Sequence, residues 1–234
     1  MSLKKELDDH CDAIFRTAWK RRKGTKVPED TSLTYSNDGI DLEGAVLYAD
    51  LAASTALVDK WIKPFAAEVY KTFLHVAGRI IRSEGGEITA YDGDRIMAVF
   101  IEGNQRRTAA VRAALKINYG VNEIVQKRLK AMYAHEDYVV SHTCGVDFST
   151  LMVAKTGVRG ANDLVWVGRA ANYAAKLCSI PDNYRTWITA EVYDHMLAEA
   201  KVGGLYQSDM WIQRSWSDMG SQRIYCSNWH WGFV

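Results

Sequence analysis

The stretch ITAYDGDRIMAVF, residues 88–100, constrains the fold most, because two apolar runs meet there at the acidic turn Asp92-Gly93-Asp94. Asp-Gly between apolar segments signals a hairpin, since glycine readily takes the backbone angles that a tight turn demands. The pattern predicts strands over EITAY and RIMAVF, with Asp94 at the tip. Upstream, the apolar run Ala45 to Ala49 in GAVLYAD is closed by Asp50. Such a run suits a strand buried on both faces.

Helical periodicity appears between these strands. Phe65, Val69, Phe73, Val76 and Ile80 are spaced 4, 4, 3 and 4 apart, with Pro64 near the start and Gly85-Gly86 beyond the end. Asn104 is placed to cap a second long helix, on which Ala114, Ile117, Val121 and Ile124 share a face. YVVSHTCGVDF and TLMVA read as a second strand pair, RAANYAAKL as a short helix, and TWITAEVYDHML as a strand-helix unit. Residues 3–22 are expected to form a helix ahead of the linker TSLTYSNDG. The order β-α-β-β-α-β-β-α-β-α predicts an α/β (α+β) sandwich with helices on a mixed sheet. The expected organisation is an N-terminal helix and linker (1–43), a central domain (44–202), and an extension packed on it (203–234) that carries Trp211, Trp216, Trp229 and Trp231.

With 234 residues, 48% hydrophobic and 24% charged, the chain has the composition of a soluble globular protein. A net charge of +1 offers no global field for nucleic acid or an anionic membrane. The cluster Lys20, Arg21, Arg22, Lys23 and Lys26 reads as a solvated segment. No run approaches the roughly 18 apolar residues of a membrane span, and the charged start MSLKKELDDH lacks a signal-peptide core. Cys11, Cys144, Cys178 and Cys226 are too scattered for a metal or disulfide framework. The expectation is a reduced, cytoplasmic protein whose activating signal comes from another molecule.

A carboxylate at a strand end is ordinarily a solvated turn residue. Two of them, Asp50 and Asp94, at adjoining strand ends repel unless a cation lies between them. Hard oxygen ligands suit Mg²⁺ or Mn²⁺, especially when substrate phosphates complete the shell. Directly after Asp50, Leu51, Ala52, Ala53, Ser54 and Thr55 form a turn of mostly small residues whose backbone N–H groups could approach a phosphate at a helix start. Metal-assisted phosphoryl chemistry is the leading reading.

The motifs resemble those of the class III nucleotidyl cyclases. VLYADLAAST is similar to their first metal motif, EGGEITAYDGDRIMAVF to the second, and VGRAANYAAKL to the motif in which Asn precedes Arg by four residues. The likeness spans roughly residues 44–195. It implies a ferredoxin-like core with a mixed, mainly antiparallel sheet and flanking helices, and two divalent ions (Mn²⁺ or Mg²⁺) held by Asp50 and Asp94. It also implies that Asn172 orients the ribose, and that Lys176 stands where the family has arginine. The implied reaction is attack of the ribose 3′-oxygen on the α-phosphorus, in a head-to-tail homodimer with composite sites. The loop in GVDFSTLMVAKTGVRGAND departs from the family's glycine pattern.

The family reads its base with two side chains. One stands four residues before the second metal aspartate and the other seven before the asparagine; here these are Ala90 and Val165. Neither offers a hydrogen bond, so purine-edge pairing is lost. The chain is most similar to the stand-alone pyrimidine cyclases of bacterial anti-phage (Pycsar) defence, which make cyclic UMP or cyclic CMP for a separate effector. UTP is slightly favoured over CTP, and Tyr48, Tyr91, Arg95 and Trp166 are further candidates near the base. An adenylate or guanylate cyclase with an atypical pocket and a non-catalytic nucleotide-binding module are the alternatives.

Overall fold

A computed structural model describes residues 2–233 of the chain. Helix α1 (Leu3–Arg16) is capped by the Ser2 hydroxyl and stops at Thr17, whose backbone is extended. The expected helix to residue 22 is therefore too long: Lys20–Lys23 form strand β1, parallel to the start of β2 (Asp38–Leu51). Their side chains are exposed, but Arg21 pairs with Asp41 and Arg22 with Asp38, so the basic run is tied to the sheet edge.

β2 is the spine of the molecule. It pairs antiparallel with β4 (Arg95–Phe100) on one side and with β5 (His142–Val158) on the other. The full sheet has nine strands in the order β10-β11-β7-β5-β2-β4-β3, with β1 alongside β2 and β6 alongside β5. The flanking strands are β3 (Glu87–Asp92), β6 (Ala161–Val167), β7 (Thr186–Thr189), β10 (Ile212–Trp216) and β11 (Gln222–Ser227), while β8 (Val202–Gly203) and β9 (Ser208–Asp209) form a separate antiparallel pair. β1–β2 and β5–β7 are parallel and the other pairs antiparallel, so the sheet is mixed and mainly antiparallel. The division expected at residue 44 falls within β2, and the segment after 203 contributes β10 and β11 to this sheet.

Successive side chains on a strand point to opposite faces. Ala45, Leu47, Ala49 and Leu51 bury one face of β2 beneath α3 (Lys63–Ser83) and α4 (Arg106–Tyr119). Val46 packs on the other face with Met97, Val99, Leu151 and Val153 and with the alanines Ala170, Ala171 and Ala174 of α6 (Arg169–Cys178). Tyr48 packs against this second cluster. α6 can lie this close because β5 carries Gly145, where a Cβ would sit 2.1 Å from the Ala174 carbonyl oxygen.

Several sequence expectations shift. The helix expected at Asn104 begins one turn-residue later, after Gln105, and has no side-chain cap. At its far end the chain passes through a π-helical turn (Gly120–Val125) into α5 (Gln126–Met132). That wider turn inserts a residue into the 3.6-residue phase, so Val125 is buried while Ile124 is exposed. The second strand pair breaks not near Ser149 but at the turn around Gly160, which has φ +86. YVVSHTCGVDF and TLMVA therefore contribute mostly to one long strand, held straight across Ser149 and Thr150 by unbroken pairing with Gly44 and Glu43 of β2.

Candidate functional site

Asp50 closes the even-numbered face of β2, following Val46 and Tyr48. Across the ladder its register partner is Arg95, which in turn pairs with Asp92 on β3. The intervening hairpin turn is Gly93-Asp94, and Gly93 takes φ +59, the left-handed conformation that a two-residue turn of this kind requires. Short pairing thus brings Asp50, Asp92 and Asp94 to one end of the sheet around a single guanidinium. Arg95 donates through Nη2 to Asp50 Oδ2 at 2.8 Å, and its Cζ lies 6.0 Å from the centre of the Tyr48 ring. The hydrogen bond that Arg95 donates to Asp50 raises the Arg95 pKa, burial opposes that, and the charges of Asp50 and Asp94 add to it.

Beyond Asp50 the chain turns sharply. The Ala52 N–H is already taken by the Ser141 carbonyl at 2.8 Å, and Leu51 is a core side chain. Ala53 adopts φ +57, a strained angle for a residue with a Cβ. It opens the short helix α2 (Ser54–Lys60), so the N–H groups at Ala53, Ser54 and Thr55 remain as donors of the turn, without helical partners. Of the five residues expected there, Leu51 and Ala52 are thus committed to the fold.

Asn172 and Lys176 lie one turn apart on α6 and are exposed. Among the described residues no hydrogen bond or ion pair joins either to Asp50 or Asp94; the Lys176 Nζ meets only the Met219 Sδ, at 3.6 Å. Ala90 packs with Tyr48 and Trp166 against the α6-side core, whereas Val165 faces outward between Leu164 and Trp166. One chain therefore does not bring Ala90 and Val165 together. Tyr91 points to the opposite face, where its hydroxyl approaches Gly78 of α3, which removes it from the base candidates.

The structure adds groups that the sequence reading missed. Asp147 is fully buried and accepts from Arg169 Nε (3.0 Å) and Nη2 (3.2 Å) and from the Thr189 hydroxyl (2.5 Å), anchoring the start of α6. The Cys178 thiol at the other end of α6 contacts the carbonyls of Tyr48 and Thr143, both at 3.5 Å. Tyr138 packs edge-on against Trp61 and Phe65. Burial pushes its phenol up to about 12, with the charge of Asp94 contributing, and its hydroxyl has no partner among the described residues. Only contacts between distant segments reveal these roles, so no local pattern could have shown them.

Among the described residues no cluster of three or more His, Cys, Asp or Glu forms a ready-made metal cage. Two carboxylates at adjoining strand ends, one already attracting a guanidinium, fit a hard divalent ion only if phosphate oxygens complete its shell. That donor set suits a site assembled with a nucleotide. No helix among the described residues is long and apolar enough to cross a membrane, and all four cysteines are free thiols.

No family model matches the chain. Over 232 residues, 99% of both chains, it is 50% identical to a uridylate cyclase of Xanthomonas perforans. It is 47% identical to a uridylate cyclase of Burkholderia cepacia, again over 99% of each, and 32% identical to one from a Rhodovulum species over 92% of this chain and 91% of that one. Among solved structures, a class III adenylyl cyclase-like ATP-binding protein from Pseudomonas aeruginosa superposes with a TM-score of 0.70 at 19% identity, covering 88% of this chain and 46% of that one. An adenylyl cyclase from the same organism gives a TM-score of 0.63 at 18% identity, covering 81% of this chain and 95% of that one. These structural likenesses establish a class III cyclase fold.

Proposed function

The chain belongs to the uridylate cyclase family, and on that premise we propose that it closes UTP to 3′,5′-cyclic UMP with release of pyrophosphate. It is a nucleotidyl cyclase, and its substrate is a nucleoside triphosphate. In this reading Asp50 and Asp94 hold two divalent ions, Mn²⁺ or Mg²⁺, which when bound lower the pKa of the attacking 3′-hydroxyl and steady charge on the in-line phosphorus. The turn Ala53-Ser54-Thr55 offers N–H donors to the phosphates, Asn172 orients the ribose, and Lys176 neutralises phosphate charge.

Asn172 and Lys176 are exposed, and among the described residues no hydrogen bond or ion pair joins either to Asp50 or Asp94 of their own chain. This supports a head-to-tail homodimer in which α6 of one copy completes the site of the other.

The observation that carries the choice of base is Ala90. It lies beside Tyr48 and Trp166, where a purine-reading cyclase of this class would place a hydrogen-bonding side chain. Arg95, whose Cζ lies 6.0 Å from the Tyr48 ring centre, can only donate. A donor suits the carbonyl edge of uracil better than the amino group of cytosine. The chemistry is that of a second messenger made in the cytoplasm for a separate effector in anti-phage defence, a role supported by the resemblance to the Pycsar cyclases.

The test is incubation of the purified protein with equimolar ATP, GTP, CTP and UTP and Mn²⁺, with products read by mass spectrometry. Cyclic UMP should dominate. Cyclic AMP or cyclic GMP as the main product would overturn the pyrimidine reading and leave the cyclase assignment standing, whereas cyclic CMP would move the substrate to CTP.

A further inference from the structure

Arg95 stands on the α6-facing side of the sheet. It precedes Met97 and Val99 on β4, and alternate residues of a strand share a face, so it lies on the side of Val46, Tyr48 and Asp50. Both carboxylates assigned to the cations act on it there: Asp50 accepts from Nη2 at 2.8 Å, and the charge of Asp94 adds to that of Asp50. The side chains of the pair are only partly exposed, 35% for Arg95 and 19% for Asp50, so water screens their attraction incompletely. Nε is buried without a partner, and among the described residues the bond to Asp50 is the only one the guanidinium makes.

The local charge is not balanced. Among the described residues neither Asp92 nor Asp94 forms an ion pair. One guanidinium thus serves an end of the sheet that carries three carboxylates, and the surplus negative charge attracts a further cation. An arginine cannot shed its proton to make room. A divalent ion at Asp50 therefore meets a fixed positive charge on the same carboxylate.

We propose that Arg95 competes with the divalent cation for Asp50, so that the cation is taken up firmly only together with the nucleotide. The phosphates supply the negative charge that the guanidinium cancels. Tyr48, whose ring centre lies 6.0 Å from Cζ, offers the displaced guanidinium a second seat over an aromatic face. Arg95 is in this role a positioning residue that sets when Asp50 is available. A donor that merely oriented the carboxylate would act in the opposite sense and strengthen the cation's hold. The competition goes beyond the assignment of Asp50 and Asp94 to the cations, on which it rests.

The experiment measures binding of Mn²⁺ alone, by electron paramagnetic resonance, to the full chain and to Arg95→Ala, Arg95→Lys, Asp50→Asn and the Arg95→Ala/Asp50→Asn double variant. Leaving out the nucleotide keeps any contact between Arg95 and the base out of the readout. Removing a unit charge beside the cation at a partly exposed site should tighten Mn²⁺ binding at least about tenfold. Arg95→Lys keeps the charge and should stay within about threefold of the parental protein. The double variant should lose the gain, because guanidinium and cation contend for one carboxylate. Arg95→Gln, checked by circular dichroism, carries the test if the alanine variant does not fold. Unchanged or weaker Mn²⁺ binding in folded Arg95→Ala or Arg95→Gln would overturn the proposal. A gain that survives Asp50→Asn would do the same, since it would mark a general effect of charge. Parental Mn²⁺-dependent cyclisation in folded Asp50→Asn would instead overturn the metal assignment beneath it.

Discussion

His142 predicts how the molecule responds to acid. It opens β5 opposite Leu51, one residue beyond Asp50 in the register, and is fully enclosed, with Phe73 of α3 at 6.0 Å between ring centres. Neither ring nitrogen has a partner among the described residues. Burial, reinforced by the nearby Arg185 charge, lowers its pKa from 6.5 to about 3. The unfolded chain therefore binds a proton that the folded chain refuses, and stability rises with pH through this window. The contribution is fully present above pH 6.5 and is lost as pH falls towards 3. A difference of three to four units corresponds to at most about 5 kcal/mol, of which about 2 kcal/mol should disappear between pH 6.5 and 5. The assay is urea unfolding of the parental protein and His142→Leu at half-unit steps from pH 7.5 to 4.5. The variant should lose the steep part of the dependence and gain stability at pH 5, because a protonatable, unpartnered ring has been replaced by an apolar side chain. Equal pH slopes for the two proteins would refute the argument, since the carboxylates common to both contribute equally.

Replacing either acid of the site, as Asp50→Ala or Asp94→Ala, should reduce cyclisation by more than about a hundredfold with the fold retained, as two-ion chemistry requires; near-parental turnover of folded Asp94→Ala in saturating Mn²⁺ would remove the metal assignment. Mixing Asp50→Ala with Asn172→Ala should restore up to about a quarter of parental activity by random exchange, because half the dimers are mixed and each keeps one intact site. No recovery after subunit exchange has been verified would exclude shared sites. Gly145→Ala puts a methyl 2.1 Å from the Ala174 carbonyl oxygen, and should cost about 3 kcal/mol or more and displace α6. A melting temperature and KM for UTP that match the parental protein would contradict that close approach.

The hairpin around Asp94 and the strand ending at Asp50 were legible because glycine and short apolar runs act over few residues. α3 was legible for the same reason: its apolar face has a steady period and its ends are marked by Pro64 and Gly85. What the sequence concealed depends on non-local pairing. Nothing in KRRK announces a strand; it becomes one because Asp38 and Asp41 on β2 meet Arg22 and Arg21. The π-helical turn displaces Ile124 through a change of phase that no composition reveals. Arg95 could be named near the site, but its bond to Asp50 follows from a register set across two strands.

The alternation along β2 supports the proposal that the site draws on a second copy. The residues that bury α3 and α4 are odd-numbered, so Tyr48 and Asp50 necessarily face the side covered by α6. α6 spends its alanine face on that packing and anchors its ends at Asp147 and at the Tyr48 and Thr143 carbonyls. Asn172 and Lys176 stand on the remaining face of the helix and cannot turn inward without breaking the Gly145–Ala174 approach. A helix held this firmly can serve a nucleotide only on its outward side. In the proposed homodimer, the acidic end of the sheet would receive that helix from a second molecule.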